Sequence, residues 1–169
     1  ALDVSVAGGP TAGGVLSLLA PGEGAEEASL EEFVFLDIES TGLGGAGALA
    51  FLVAAGRFEG TGGDRMFVLR QYLATSPPEE AAVLRALLDD YEVQSGDAVL
   101  VTYNGRSFDA PMLDERATMH RHRAGFDALR HVDLLPPIRV GLRGVLESCR
   151  LTIVESEWLR LTRPSHEAA

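Results

Sequence analysis

The sequence has no lysine and only one cysteine, Cys149, among its 169 residues. A single cysteine cannot form a disulfide within the chain, and it excludes the usual zinc sites that are built from several cysteines. Without lysine the chain has no P-loop, because that motif needs a lysine beside the nucleotide phosphates. The low cysteine content fits a reducing compartment, so we expect a cytoplasmic protein, and we expect Cys149 to lie in the core.

Long hydrophobic runs are also absent. The longest apolar stretches fall well short of the roughly 18 residues that a membrane-spanning helix needs, so we expect no contact with a membrane. No positively charged segment precedes the first apolar stretch, which argues against a signal peptide. The chain begins with Ala1 rather than methionine, which we interpret as a sign of a processed or cut product.

The charge is negative overall and unevenly distributed. The net charge is −11, and all 14 basic residues are arginines. Residues 1–115 carry 5 arginines and 19 acidic residues, whereas residues 116–169 carry 9 arginines and 6 acidic residues. This division suits a protein that holds metal ions in one place and phosphates in another, although a plain acidic soluble protein would also fit.

Apolar periodicity predicts an α/β fold with a mixed sheet. Short apolar runs with turn residues between them predict strands at residues 33–38, 49–58, 66–73, 98–102 and 130–134. The first three strands follow one another as an antiparallel meander, and the last two each follow a helix. Because such crossovers are right-handed, we expect the fourth strand to lie parallel beside the first. The remaining segments flank this sheet as helices.

Helical spacing of apolar residues predicts helices that begin near residue 76, cover 108–121 and include 148–159. At the first of these, Ser76 is the expected cap and Glu79 completes a capping box. We expect a single folded domain over residues 31–160. Residues 1–30 are predicted to be an extension, partly loop, with a short strand at 14–19, and residues 161–169 are predicted to be a flexible tail.

Acidic residues follow the two strands that we expect to be neighbours. Asp37 and Glu39 end the first strand, and residues two apart on a strand point to the same face. Asp109 falls in the first turn of the helix that follows the fourth strand. Ligands of open α/β sheets bind beyond the carboxyl ends of strands at the point where the strand order reverses. Three carboxylates at that point favour Mg²⁺ or Mn²⁺, although each acid alone also fits an ordinary capping role.

Two segments resemble a known superfamily. The sequences FLDIESTGLGGAG and VLVTYNGRSFDAPML, at residues 35–47 and 99–113, resemble the ribonuclease-H-like 3′–5′ exonucleases with DEDD carboxylates. The resemblance is strongest to the YprB-type ribonuclease-H-like domain, and RHVDLLPPIR and ESCRLTIVE further along look like the same subfamily. The similarity spans about residues 33–158.

The resemblance implies a ribonuclease-H-like domain that hydrolyses nucleic-acid phosphodiesters from a single-stranded 3′ end of DNA or RNA, with two Mg²⁺ or Mn²⁺ ions. By position it makes Asp37, Glu39 and Asp109 catalytic residues and metal ligands. It makes Asp133 a supporting acid rather than a ligand. The residues that it implies contact the substrate are Thr41, Gly42, Leu43, Asn104 and Phe108.

The fourth carboxylate of the DEDD pattern has no clear counterpart. No aspartate follows Trp158, and the pair His122 and Asp127 follows Asp109 too closely to leave room for the strand that must come first. Either the chain ends before the last motif or the site has decayed. The alternative function is therefore a catalytically incomplete module that binds nucleic acid or protein. An endonuclease of the RNase H or resolvase type would share the fold but not the NGRSFD segment.

A further candidate is a row of arginines near the end of the second predicted helix. These residues are expected to line a phosphate path or to form an exposed helix face, and they are Arg116, Arg121, Arg123 and Arg130.

Overall fold

A computed structural model describes residues 14, 21–22, 25, 28–42, 47–60, 62–91, 97–123 and 125–163. Most of the expected extension over 1–30 lies outside the described residues, including 15–19 of the strand expected at 14–19, as do Leu43 and residues 164–169.

The chain folds around a mixed sheet of five strands in the order β3-β2-β1-β4-β5. The strands are β1 (Phe33–Ser40), β2 (Ala50–Glu59), β3 (Met66–Leu73), β4 (Val99–Thr102) and β5 (Arg130–Asp133). Antiparallel pairing joins β1 to β2 and β2 to β3, whereas β4 pairs in parallel with both β1 and β5. The predicted meander with parallel strands beside it is confirmed, as is the predicted neighbourhood of β1 and β4.

Four short helices flank the sheet in the part of the chain that the structure describes. They are α1 (Glu80–Asp90), α2 (Asp109–Met119), α3 (Leu135–Gly141) and α4 (Leu151–Ile153), which continues as a π-helical turn (Val154–Trp158). Two prolines lie in the first turn of α3, where a missing N–H costs no helical hydrogen bond. None of the helices in the described part of the chain is long and apolar enough to cross a membrane.

The start of α1 differs from the expected capping box. Pro77–Glu79 form a 3₁₀ turn, and the Ser76 side chain makes no capping hydrogen bond. The Glu79 carboxylate instead accepts hydrogen bonds from the backbone N–H of Thr75 at 2.8 Å and from its hydroxyl at 2.9 Å. The prediction was wrong because the 3₁₀ turn is tighter than an α-helical turn, and it brings the acid to Thr75.

The core lies mainly between the sheet and helices α1 and α2. Its buried side chains include Leu36, Ile38, Val53, Leu84, Leu87, Leu100 and Leu113. A smaller cluster on the opposite face includes Phe33, Val99, Val101 and Val132. Because β1 and β4 are packed on both faces, their carboxyl ends are rigid supports for whatever follows them.

Candidate active site

The carboxyl end of β1 presents two acidic side chains on one face of the sheet. Along this strand Leu36 and Ile38 are buried, while Asp37 and Glu39 between and after them are exposed. The alternation follows from the pleat of the strand, because packing Leu36 and Ile38 into the core turns both carboxylates to the other side.

The third acidic residue comes to the same place from α2. Asp109 is the first residue of that helix, and only 5% of it is exposed. Its Oδ1 accepts a hydrogen bond from the backbone N–H of Ile38 at 3.1 Å. Since Ile38 separates Asp37 from Glu39, this bond brings all three predicted carboxylates to one stretch of β1.

A tight loop between β4 and α2 makes this arrangement possible. Asn104 has a φ of 73°, in the left-handed region. At Gly105 a side-chain Cβ would lie 2.5 Å from the Cβ of Thr102, so only glycine fits. The Thr102 hydroxyl accepts a hydrogen bond from the Gly105 N–H at 3.1 Å. The chain therefore reverses sharply and starts α2 beside β1.

Asp133 holds this loop in place from the end of β5. Its carboxylate accepts hydrogen bonds from the backbone N–H groups of Asn104 at 2.8 Å and Arg106 at 3.2 Å. It also accepts one from the N–H of Leu135 at 3.0 Å. Both carboxylate oxygens are therefore bound to the backbone, and Asp133 fixes the loop after β4 to the start of α3.

Burial and the charges of neighbouring carboxylates raise the pKa values of Asp109 and Asp37. Burial raises the pKa of Asp109 to about 6, and the charges of Asp37 and Asp133 act in the same direction, against the hydrogen bond from Ile38. Partial desolvation also raises the pKa of Asp37, and the charge of Glu39 adds to the effect. Such shifts are typical of carboxylates that are partly desolvated and held close to like charges.

The donor atoms suit a divalent cation, but they do not form a closed cage. Among the residues that the structure describes, no three His, Cys, Asp or Glu side chains converge closely enough to hold an ion. Mg²⁺ normally keeps several waters and binds through one or two carboxylates together with substrate phosphates. The oxygen-only donors and their mutual repulsion therefore fit an ion that is completed by water and substrate.

The residues expected to contact the substrate after β1 are partly used within the fold. Thr41 closes the base of the glycine-rich loop, because it exchanges hydrogen bonds with the Leu49 backbone through its N–H and its hydroxyl, both at 3.0 Å. The carbonyl of Gly42 accepts a hydrogen bond from the Ser40 hydroxyl at 2.7 Å. A cavity of about 310 Å³ lies next to this loop, between Thr41, Phe51 and the start of α1.

The other two expected substrate contacts lie on the loop after β4. The Asn104 side chain is exposed, and its backbone N–H is bound to Asp133. Phe108 is half-buried and packs against the main core, so its ring anchors the start of α2. Asn104 is therefore the more accessible of the two.

The predicted row of arginines is dispersed by the fold. Arg116 is buried and paired with Glu80 at 2.5 Å. Arg130 pairs with Glu32 at 3.1 Å and donates to the carbonyl of Asp97. These two side chains are committed to structural contacts, so the expectation of a phosphate path along this row was wrong. Cys149 is half-buried rather than a core residue.

Glu155 and Arg163 lie near the end of the described chain and were not among the predicted site residues. In the structure Arg163 makes two hydrogen bonds to the Glu155 carboxylate, at 2.7 and 3.1 Å. The positive charge of Arg163 also lowers the pKa of Asp37, against the effects of burial and Glu39. The turn that follows α4 is thus linked electrostatically to the carboxylate cluster. The only sign of this contact in the sequence was the position of Glu155 on a late predicted helix.

Comparison with known proteins places this fold in a family. A sequence model described as the RNase_H superfamily matches residues 34–168. The chain belongs to the RNase_H superfamily. This superfamily domain is also 36% identical over 132 residues to the Bacillus subtilis (strain 168) protein recorded as "Uncharacterized protein YprB". The match covers 76% of this chain and 30% of YprB, so the chain spans under a third of its relative.

Solved structures of exonuclease I share the fold of this RNase_H superfamily domain. One structure of exonuclease I superimposes with a TM-score of 0.60 at 17% identity, covering 77% of this chain and 36% of exonuclease I. The zinc-bound complex of E. coli exonuclease I with single-stranded DNA gives 0.56 at 16% identity, with 73% and 34% covered. The predicted ribonuclease-H-like fold and the resemblance to YprB are both confirmed.

Proposed function

We propose that this domain hydrolyses nucleic-acid phosphodiesters from a single-stranded 3′ end in a reaction that depends on divalent metal ions. The observation that carries the proposal is the 3.1 Å hydrogen bond from Ile38 to Asp109. Through this bond Asp37, Glu39 and Asp109 share one end of a rigid strand. Within the described residues, none of the three carboxylates is joined to a cation by an ion pair.

Asp37, Glu39 and Asp109 would hold the cofactor, which we propose to be two Mg²⁺ or Mn²⁺ ions. Asp37 would contact both ions, with Glu39 and Asp109 on either side of it. When bound, such ions lower the pKa of an attacking water and neutralise charge on the phosphate. The raised pKa of Asp109 supports this assignment, because a cation would stabilise its ionised form.

The surrounding residues would position the substrate. The cavity of about 310 Å³ beside Thr41 and Leu49 offers a place for the terminal nucleotide, with Phe51 as an apolar surface. Leu43 belongs to the same loop and lies outside the described residues. Asn104 would contact the nucleic acid at the rim, while Phe108 and Asp133 would keep the loop after β4 in position.

The alternative is a module that binds nucleic acid or protein without catalysis. The observation in its favour is the absence of a three-residue metal cluster in the described part of the chain. The positive charge of Arg163 near Asp37 points the same way, because it partly supplies the charge that a metal ion would bring.

The test is degradation of a 5′-labelled single strand in the presence of Mn²⁺ or Mg²⁺. We expect products that shorten stepwise from the 3′ end with the wild type, and none with Asp37→Asn or Asp109→Asn. Asp89→Asn, an exposed acid on α1, is the matched control and keeps full activity. Cleavage of a circular strand would point to an endonuclease. Binding without hydrolysis at any metal concentration would favour the non-catalytic module.

A further inference from the structure

A second concave surface includes Tyr103 and Asn104 of the loop after β4. This surface, which we name the arginine groove, has a volume of about 450 Å³ and is lined by Tyr103, Asn104, Leu135, Arg139, Cys149 and Arg150. The backbone N–H groups of Asn104 and Leu135 both donate to Asp133, at 2.8 and 3.0 Å. Asp133 therefore joins the lining of the groove to the carboxylate cluster, because its charge also raises the pKa of Asp109.

The groove carries positive charge that the fold does not neutralise. Arg139 and Arg150 are both exposed, and neither forms an ion pair with a carboxylate in the part of the chain that the structure describes. Other arginines of the molecule, such as Arg57, Arg70 and Arg116, are paired with glutamates. In a chain with a net charge of −11, two unpaired arginines in one concavity stand out as a site for an anion.

A hydrogen bond fixes the shape of the groove. The Tyr103 hydroxyl donates to the carbonyl of Cys149 at 2.5 Å, joining the loop after β4 to the segment before α4. The half-buried ring of Tyr103 is thereby held as one wall of the groove. Aromatic rings beside basic side chains are the usual means by which proteins bind single strands, because bases stack on the ring while the cations contact phosphates.

We propose that the arginine groove binds the backbone of a single-stranded nucleic acid just upstream of the phosphodiester at the carboxylate cluster. Arg139 and Arg150 contact consecutive stretches of phosphate, and Tyr103 supports a base. This proposal rests on the proposed function, since it names where the rest of that substrate lies. It also explains how an acidic site retains an anionic strand: the groove supplies the attraction that the carboxylates do not.

The test compares two double variants by fluorescence anisotropy with labelled DNA and RNA strands of about 12 nucleotides. Arg139→Gln with Arg150→Gln removes the charge of the groove. Arg85→Gln with Arg121→Gln removes two exposed charges on α1 and beyond the far end of α2. Binding is measured in EDTA, so that no hydrolysis occurs, over salt concentrations from about 20 to 200 mM.

We expect the groove variant to bind at least about tenfold more weakly than the wild type, with a salt slope reduced by about 1.4, which corresponds to two lost phosphate contacts. The control variant should keep both values. Tyr103→Leu should weaken binding further, and Tyr103→Phe, which keeps the ring but loses the hydrogen bond to Cys149, should weaken it less than Tyr103→Leu. The proposal is overturned if the groove variant binds within about twofold of the wild type, or if the wild type does not bind at low salt.

Hydrolysis by the wild type is assayed separately, which keeps the two proposals apart. Groove-dependent binding without any hydrolysis would support the arginine groove and count against the nuclease. Hydrolysis by the wild type, together with normal binding by the groove variant, would support the nuclease and count against the arginine groove.

Discussion

Two buried carboxylates in this molecule have opposite pKa shifts, lowered at Glu80 and raised at Asp109. Glu80, at the start of α1, is completely buried, and Asp109, at the start of α2, is 5% exposed. Both are the first residues of their helices and both contact a backbone N–H of a neighbouring strand. They differ in what else surrounds them, and that difference separates a structural acid from a functional one.

Glu80 is fully neutralised by its own chain. It accepts hydrogen bonds from Arg116 at 2.5 Å, from His120 at 2.7 Å and from the Ala50 N–H at 2.9 Å. Burial alone would raise the pKa of Glu80, but these hydrogen bonds outweigh it, and the pKa is lowered. Its negative charge therefore helps to hold α1, α2 and β2 together.

Asp109 has no comparable partner. Burial is the main reason why its pKa rises to about 6, and the nearest charges are other carboxylates. The chain surrounds Glu80 with an arginine, a histidine and a backbone N–H, but it places a backbone N–H and other carboxylates around Asp109. The absence of such a partner among the described residues is what we expect of a site that receives a cation from outside.

The largest expected effect comes from removing the charge of Glu80. Glu80→Gln leaves the buried guanidinium of Arg116 without an anion, and we expect a loss of about 3–5 kcal/mol in the free energy of unfolding. Urea denaturation measures this loss. The matched control is Asp89→Asn on the exposed side of α1, which should change stability by less than about 0.5 kcal/mol. A loss below about 1 kcal/mol in Glu80→Gln would mean that the pair is not structural.

At Asp109 we expect removal of the charge to increase the free energy of unfolding, whereas at Glu80 it decreases it. Its raised pKa means that the folded state binds a proton more tightly than the unfolded state, so stability declines as the pH rises from about 4 to about 6 and stays lower above that. Asp109→Asn keeps an acceptor for Ile38 and removes the charge. We expect it to raise the free energy of unfolding at pH 8 by roughly 1–3 kcal/mol, without metal, and to have little effect near pH 4.

Denaturation curves at several pH values test this prediction. Glu80, with its lowered pKa, acts the other way, because its contribution is present at neutral pH and is lost on acidification. A destabilised Asp109→Asn protein at pH 8 would contradict the assignment of uncompensated repulsion.

A bound metal ion should neutralise Asp109 as Arg116 neutralises Glu80, and so stabilise the folded protein. We expect Mn²⁺ at about ten times its dissociation constant to stabilise the wild type by about 1.4 kcal/mol at pH 8, because an ion that binds only the folded state shifts the equilibrium. The shift should vanish in Asp37→Asn and shrink at pH 5, where Asp109 is protonated. Thermal melting with and without the ion measures it. An equal shift in Asp37→Asn would place the ion elsewhere.

The smallest expected effect is at His120. His120→Ala removes one of several hydrogen bonds to Glu80 and leaves Arg116 and the Ala50 N–H in place, so we expect a loss of about 1 kcal/mol. A loss as large as that of Glu80→Gln would mean that the histidine, and not the arginine, holds the carboxylate. Thermal melting resolves the difference.

Much of the fold could be predicted because it depends on local pattern. The alternation along β1 places Asp37 and Glu39 on one face, and the handedness of crossovers places β4 beside β1. The Glu80–Arg116 pair could not be predicted, because its members are 36 positions apart and look like ordinary surface charges of two amphipathic helices. The same holds for the link between Arg163 and Asp37.

The hydrogen bond between Ile38 and Asp109 joins residues 71 positions apart. Closing so long a segment costs chain entropy that only the assembled sheet and helices repay. In the unfolded chain Asp109 is far along the sequence from Asp37 and Glu39, which are only two positions apart. The repulsion that Asp109 adds to the cluster is therefore a property of the native state, and we expect metal affinity at this site to depend on how completely β1 and α2 have come together.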